Sequence, residues 1–140
     1  MSKKVLVGID GSPQGDKAFA FALELARQAG GTLHCCAVVH GAEIEMAEAT
    51  EREALTNRRR EWLSEHLTRL TDDAIDQPHR PVSHLLEGHP VEQLLHLAER
   101  EKIDHIVLGH RSKGLFERLL MGSVAKRVVD FARCTVTVVR

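Results

Sequence analysis

Apolar residues along this chain fall into short unbroken runs that alternate with longer segments of helical spacing. The runs predict five strands, at Val5–Ile9, Leu33–Val39, Val82–Leu86, His105–Leu108 and Val136–Val139. The central strands are apolar throughout rather than at every second residue, so both faces of the sheet are predicted to be covered. Strands that alternate with helices in this way are typical of a parallel α/β sheet.

Four helices are predicted in the intervals between these strands. They begin after Ser12-Pro13, at about Ala42, after His89-Pro90 and at Ser123. Ser12 and Ser123 are candidate N-caps, and Gly30-Gly31 would end the first helix. The second helix, rich in Glu and Arg, is expected to run to about Leu70 as one long helix with a loosely ordered start.

A glycine-containing loop after the fourth strand is the segment that indicates a ligand. Gly109-His110-Arg111-Ser112 is followed, after nine residues, by Gly122-Ser123 at a helix start. A helix start offers unpaired N–H groups and the positive end of the helix dipole, and glycine lets the backbone approach an anion. Phosphate is the ligand that suits such a loop. On this pattern alone, an ordinary strand-to-helix loop explains the residues equally well.

Three separate pieces of the chain point to the same edge of the sheet. Asp10, Val38 and Gly109 each lie at the carboxyl end of a predicted strand. In doubly wound sheets, ligands bind beyond these ends, where the strand order reverses. The sequence therefore predicts a nucleotide site at this edge.

Three segments of the chain, Lys3–Asp10, Glu87-Gly88-His89-Pro90 and Ile106–Val139, resemble the universal stress protein family. The resemblance covers essentially the whole chain and implies one domain over residues 1–140. The implied fold is a Rossmann-like, doubly wound parallel sheet of five strands in the order 3-2-1-4-5.

Members of this family that bind ATP carry a motif of Gly, two residues, Gly, nine residues, then Gly and Ser or Thr. The present chain keeps the spacing, with Ser112 in place of the second glycine. The resemblance implies that Asp10 lies near the ribose and Val38 beside the adenine. Backbone N–H groups would hold the phosphates around Gly109, Arg111, Ser112, Gly122, Ser123 and Val124. The implied ligand is ATP, ADP or AMP, which a magnesium ion could accompany.

Composition restricts the remaining classes of function. The 140 residues, 43% of them hydrophobic, suit one globular domain, and the net charge of -1 provides no general field for nucleic acid or an acidic membrane. The first apolar run is too short for a signal peptide or a membrane span, so a cytoplasmic location is expected. The three cysteines are expected to be buried free thiols.

Other polar groups are explained without a metal-binding or catalytic role. The histidines and cysteines lack the spacing of metal ligands, so no metal site is expected. His110 is expected to be a solvated loop residue, and Arg58-Arg59-Arg60 to form a solvated face paired with glutamates of the same helix. Glu117 is the only acid in the glycine loop and is expected to be a surface charge, so binding is favoured over rapid turnover.

The sequence thus favours a dimeric, cytoplasmic stress-response protein that binds an adenine nucleotide without being an enzyme. The expected dimer contact is the last strand, Thr135–Val139, whose apolar edge would otherwise expose unpaired backbone groups. Two alternatives remain open at this point. One is a nucleotide-free member of the same family that acts as a protein-interaction module, and the other is a slow ATP hydrolase.

Overall fold

The computed structural model describes residues 3–74, 80–110 and 123–140, apart from the side chains of residues 42 and 43. Strands and helices alternate along the chain. Their bounds are β1 Lys4–Ile9, α1 Pro13–Ala29, β2 Thr32–Val39, α2 Ala42–Met46, α3 Ala49–Asp73, β3 Val82–Glu87, α4 Pro90–Arg100, β4 His105–Gly109, α5 Ser123–Phe131 and β5 Thr135–Val139.

The five strands form one parallel sheet in the order β3-β2-β1-β4-β5. This confirms the predicted class and strand order. The strand order reverses at β1, because β2 and β3 lie to one side of it and β4 and β5 to the other. The carboxyl ends of β1, β2 and β4 therefore meet at one edge.

Each face of the sheet is covered by a separate apolar cluster. Residues of β1 alternate between the two clusters: Val5 and Val7 pack under α1 and α3, whereas Leu6 packs under α4 and α5. All three side chains are fully buried. Burial on both faces is the reason that these strands are apolar throughout rather than at alternate positions.

The caps of α1 follow the prediction. The Ser12 hydroxyl accepts a hydrogen bond from the Gly15 amide at 3.1 Å, and Gly30 ends the helix in the left-handed region at φ 63°. A serine N-cap and a glycine with positive φ satisfy backbone groups that the helix leaves unpaired at its ends.

The segment after β2 differs from the prediction. Ala47 and Glu48 are extended and divide the expected long helix into α2 and α3, so the described residues contain five helices instead of four. The Arg52 guanidinium of α3 donates to the carbonyl oxygens of Ile44 and Ala47 at 3.2 and 3.1 Å. It thereby satisfies carbonyls that the end of α2 would otherwise leave unpaired.

Candidate functional site

A cavity of about 690 Å³ opens at the carboxyl edge of the sheet. Five of the predicted site residues line it: Asp10 after β1, Val38 on β2, Gly109 at the end of β4, and Ser123 and Val124 at the start of α5. The other three predicted residues, Arg111, Ser112 and Gly122, lie outside the described residues. The structure thus brings together every predicted site residue that it describes.

The turn between β1 and α1 fixes the only carboxylate among the described residues that line the cavity. Oδ1 of Asp10 accepts hydrogen bonds from the Ser12 amide at 2.9 Å and from the Ser12 hydroxyl at 2.5 Å. Ser12 in turn caps α1 through Gly15. The helix cap therefore also orients the carboxylate, and the described hydrogen bonds to it all reach the same oxygen.

Gly109 lies where the end of β4 meets the first turn of α1. A Cβ atom at this position would lie 2.6 Å from the carbonyl oxygen of Gln14. This distance is well inside normal van der Waals contact, and the crowding atom belongs to backbone. Glycine is therefore required here by the close approach of two backbone segments.

One wall of the cavity is apolar and one end is polar. The wall consists of side chains from β2, α4 and β4, namely Cys36, Val38, Val91, Leu94 and Leu108. Burial raises the pKa of the Cys36 thiol to about 12, so this group is uncharged and belongs to the apolar wall. Such a wall suits a flat apolar ring rather than a charged group.

The polar end is formed by the first turn of α5. The side chain of Ser123 is exposed, and Arg127, one turn later, also lines the cavity. A helix start with a nearby cation favours an anionic group. The carboxylate of Asp10 can accept hydrogen bonds from hydroxyl groups of a ligand, and the start of α5 can hold an anion.

Two cavity residues on α3, Arg59 and Trp62, were not predicted to belong to the site. Trp62 is 42% exposed and lies against Gly11 of the β1–α1 turn. The Arg59 guanidinium lies 4.6 Å from the centre of the Trp62 ring. Helical spacing alone cannot separate a residue of the core from one at the rim of a cavity, so the sequence carried no signal for this role.

Two further expectations about polar residues were wrong. His110 directly follows β4 and is only 5% exposed, and its amide donates to the Val139 carbonyl of β5 at 2.6 Å. The partner of Arg60 is Glu87 on β3, which forms an ion pair with it, rather than a glutamate of α3. In both cases tertiary contacts that local sequence cannot reveal determine the environment.

Comparison with known proteins assigns the family. The profile of the universal stress protein family matches residues 1–140. A universal stress protein from Thermus aquaticus is 35% identical over 149 positions, which cover all of both chains. The chain belongs to the universal stress protein family. This confirms the resemblance found in the sequence.

Solved universal stress proteins have the same fold. Universal stress protein UspA from Lactobacillus plantarum superposes with a TM-score of 0.85 over 99% of this chain and 98% of its own, at 23% identity. A universal stress protein in complex with cAMP has a TM-score of 0.66 at 25% identity, over 99% of this chain and 96% of its own. In the part of this chain that the structure describes, no helix is long and apolar enough to cross a membrane.

Proposed function

We propose that this universal stress protein binds an adenine nucleotide in the cavity at the carboxyl edge of the sheet. The observation that carries the proposal is the convergence of Asp10, Val38, Gly109, Ser123 and Val124 on this single cavity. The solved relative in complex with cAMP, at 25% identity, supports a ligand of the same class.

The chemistry of the lining suggests an orientation for the nucleotide. The adenine packs on the apolar wall beside Val38, and the ribose hydroxyls donate to the Asp10 carboxylate through Oδ2, since Ser12 already occupies Oδ1. The phosphates lie at the start of α5, near the N–H groups of Gly109, Ser123 and Val124. By the family motif, Arg111, Ser112 and Gly122 would add to this end, and magnesium would accompany ATP or ADP.

We infer a binding protein rather than a rapid enzyme. Phosphoryl transfer needs a carboxylate that holds the metal and a residue that positions the attacking group. Asp10 is the only carboxylate among the described lining residues, and it lies on the ribose side of the proposed ligand. We further propose a signalling role in the stress response, in which nucleotide occupancy alters the protein surface.

Calorimetric titration with ATP, ADP and AMP, with and without magnesium, tests the proposal. We expect one site per chain and an affinity at least tenfold weaker for Asp10→Ala, which removes the ribose contact. Asp130→Asn, an exposed carboxylate on α5 away from the cavity, is the matched control. No heat at millimolar nucleotide would reject binding and favour the interaction module, while steady release of ADP would favour the slow hydrolase.

We also propose that two copies associate through β5. This strand forms one edge of the described sheet, and the neighbouring helix α5 exposes two apolar side chains, Phe131 at 64% and Val129 at 43%. Pairing of two edges would satisfy backbone groups and cover apolar surface. Light scattering should show a wild-type dimer and a Val138→Lys monomer, and a wild-type monomer at micromolar concentration would contradict the proposal.

A further inference from the structure

Three side chains on one side of α3 form a wall, of which Arg59 and Trp62 line the cavity. Arg59, Trp62 and His66 are three and four residues apart, which places them in neighbouring turns of the helix. The Arg59 guanidinium lies 4.6 Å from the centre of the Trp62 ring, and the His66 ring lies 6.0 Å from it with an interplanar angle of 26°. Trp62 is thus held by neighbours in both directions along the helix.

The wall is anchored to the β1–α1 region at two points. Nε2 of His66 lies 2.7 Å from Oδ1 of Asp16 on α1, and these two groups form an ion pair when the imidazole is protonated. The outer edge of the Trp62 ring packs so closely on Gly11 that no side chain would fit there. Gly11 has φ 84° and directly follows Asp10, so the indole packs on the residue next to the one that carries the carboxylate.

The topology indicates which part of a ligand the wall can reach. The helix α3 packs against β2 and β3, on the opposite face of the sheet from α4 and α5. Val38 lies on β2, whereas Gly109 and Ser123 lie on the far side of β1. The wall therefore reaches the cavity on the Asp10 side of its lining, across the sheet edge from Val38, which packs in the α4 and α5 cluster, and away from the start of α5.

We propose that Trp62 contacts the nucleoside half of the bound ligand, and that Arg59 is a positioning residue that holds the indole in place by a cation–π contact. The proposal rests on the nucleotide-binding function above and deepens it. An aromatic side chain beside a base or ribose adds contact area without needing a specific hydrogen bond. The wall thus raises the affinity for any ligand that contains a nucleoside and leaves the affinity for a bare phosphate chain unchanged.

The composition of the chain allows a direct test of the proposal by tryptophan fluorescence. Trp62 is the only tryptophan and there is no tyrosine, so the intrinsic fluorescence excited above 290 nm reports on the wall alone. We expect ATP and adenosine to change the emission intensity or wavelength of Trp62 in a saturable way. Inorganic tripolyphosphate, which lacks the nucleoside, is expected to leave the emission unchanged while still competing for the phosphate end.

Calorimetry of two variants measures the contribution of the indole. Trp62→Ala should weaken ATP and adenosine by the same factor, roughly five- to tenfold, while Trp62→Phe stays within about twofold of the wild type. Phe21→Ala is the matched control, because Phe21 is 44% exposed on α1 and does not line the cavity. Circular dichroism verifies that each variant is folded.

The positioning role of Arg59 needs a readout other than affinity. Arg59→Ala should shift the Trp62 emission of the free protein and weaken adenosine binding by about two- to fivefold, since a partly exposed cation–π contact contributes modestly. Arg58→Ala, which removes the preceding, exposed guanidinium, should change neither property. An Arg59→Ala protein with wild-type emission and affinity would reject the positioning role.

The outcomes separate this inference from the proposed function. If wild-type protein binds ATP by calorimetry but Trp62→Ala binds it equally well and the emission does not respond, the inference is wrong and the proposed function stands. If tripolyphosphate changes the emission as much as ATP does, the wall contacts phosphate and the nucleoside assignment is wrong. If the wild-type protein binds neither ATP nor adenosine, both are wrong.

Discussion

Replacing Gly109 by alanine tests whether the close approach of β4 to α1 shapes this edge of the sheet. The new methyl carbon would lie 2.6 Å from the Gln14 carbonyl oxygen and 2.7 Å from its carbon. Contacts between such carbon and oxygen atoms begin at about 3.3 Å, so one of the two backbone segments must move by about 0.7 Å. No side-chain rotation can relieve the contact, because the crowding atoms belong to the first turn of α1.

Overpacking of this kind costs about 1–3 kcal/mol. For a chain of 140 residues, this corresponds to a fall in the unfolding midpoint of about 3–10 °C. Gly41→Ala is the matched control, because Gly41 also lines the cavity but is extended at φ 170°, with nothing within 4 Å of an added Cβ. It should remain within about 1 kcal/mol of the wild type.

Thermal unfolding followed by circular dichroism, with both variants and the wild type in the same buffer, measures the difference. The reasoning predicts a clear loss for Gly109→Ala and almost none for Gly41→Ala. Equal midpoints for the two variants would refute it, since they would mean that the approach of Gln14 to Gly109 imposes no steric constraint.

Two further predictions concern histidine and cysteine side chains whose pKa values are shifted by burial in the sheet. Burial lowers the pKa of both His34 and His84, whose rings are hydrogen-bonded at 3.0 Å, so the unfolded chain binds protons that the folded sheet excludes. Stability in urea should therefore be constant above the ordinary histidine pKa of about 6.5 and fall as the pH drops below it, with a smaller fall in His84→Gln. Burial also raises the pKa of Cys35 and Cys36 to about 12, so a thiol reagent at mildly alkaline pH should label the half-buried Cys134 first. Rapid labelling of the Cys134→Ser variant would contradict the prediction about the thiols. A stability that does not change with pH would contradict the prediction about the histidines.

The strands and most helix boundaries could be predicted because each depends on a local pattern. Apolar runs located all five strands, including the weak third one that contains His84, and the serine and glycine at the two ends of α1 marked its limits. The order of the strands could not be predicted in this way, because periodicity cannot specify which strands are neighbours. That information came from the resemblance to the universal stress proteins.

The errors share one physical cause, which is that a distant part of the chain determines the environment. His110 is buried where its amide donates to β5, and α2 ends where Arg52 of the next helix reaches its carbonyls. Trp62 follows the apolar spacing of α3, yet it packs at the rim of the cavity against a turn about fifty positions earlier. Helical spacing gives the side of the helix on which a residue lies, and only the fold decides what faces it.

A crystal structure of the protein soaked with ATP and magnesium tests the central proposal most directly. The account predicts adenine density beside Val38, the ribose hydroxyls within hydrogen-bond distance of Asp10, and the phosphates at the start of α5 near Gly109 and Ser123. A cavity that remains filled only with water at saturating ATP would contradict it, as would a nucleotide bound elsewhere on the protein.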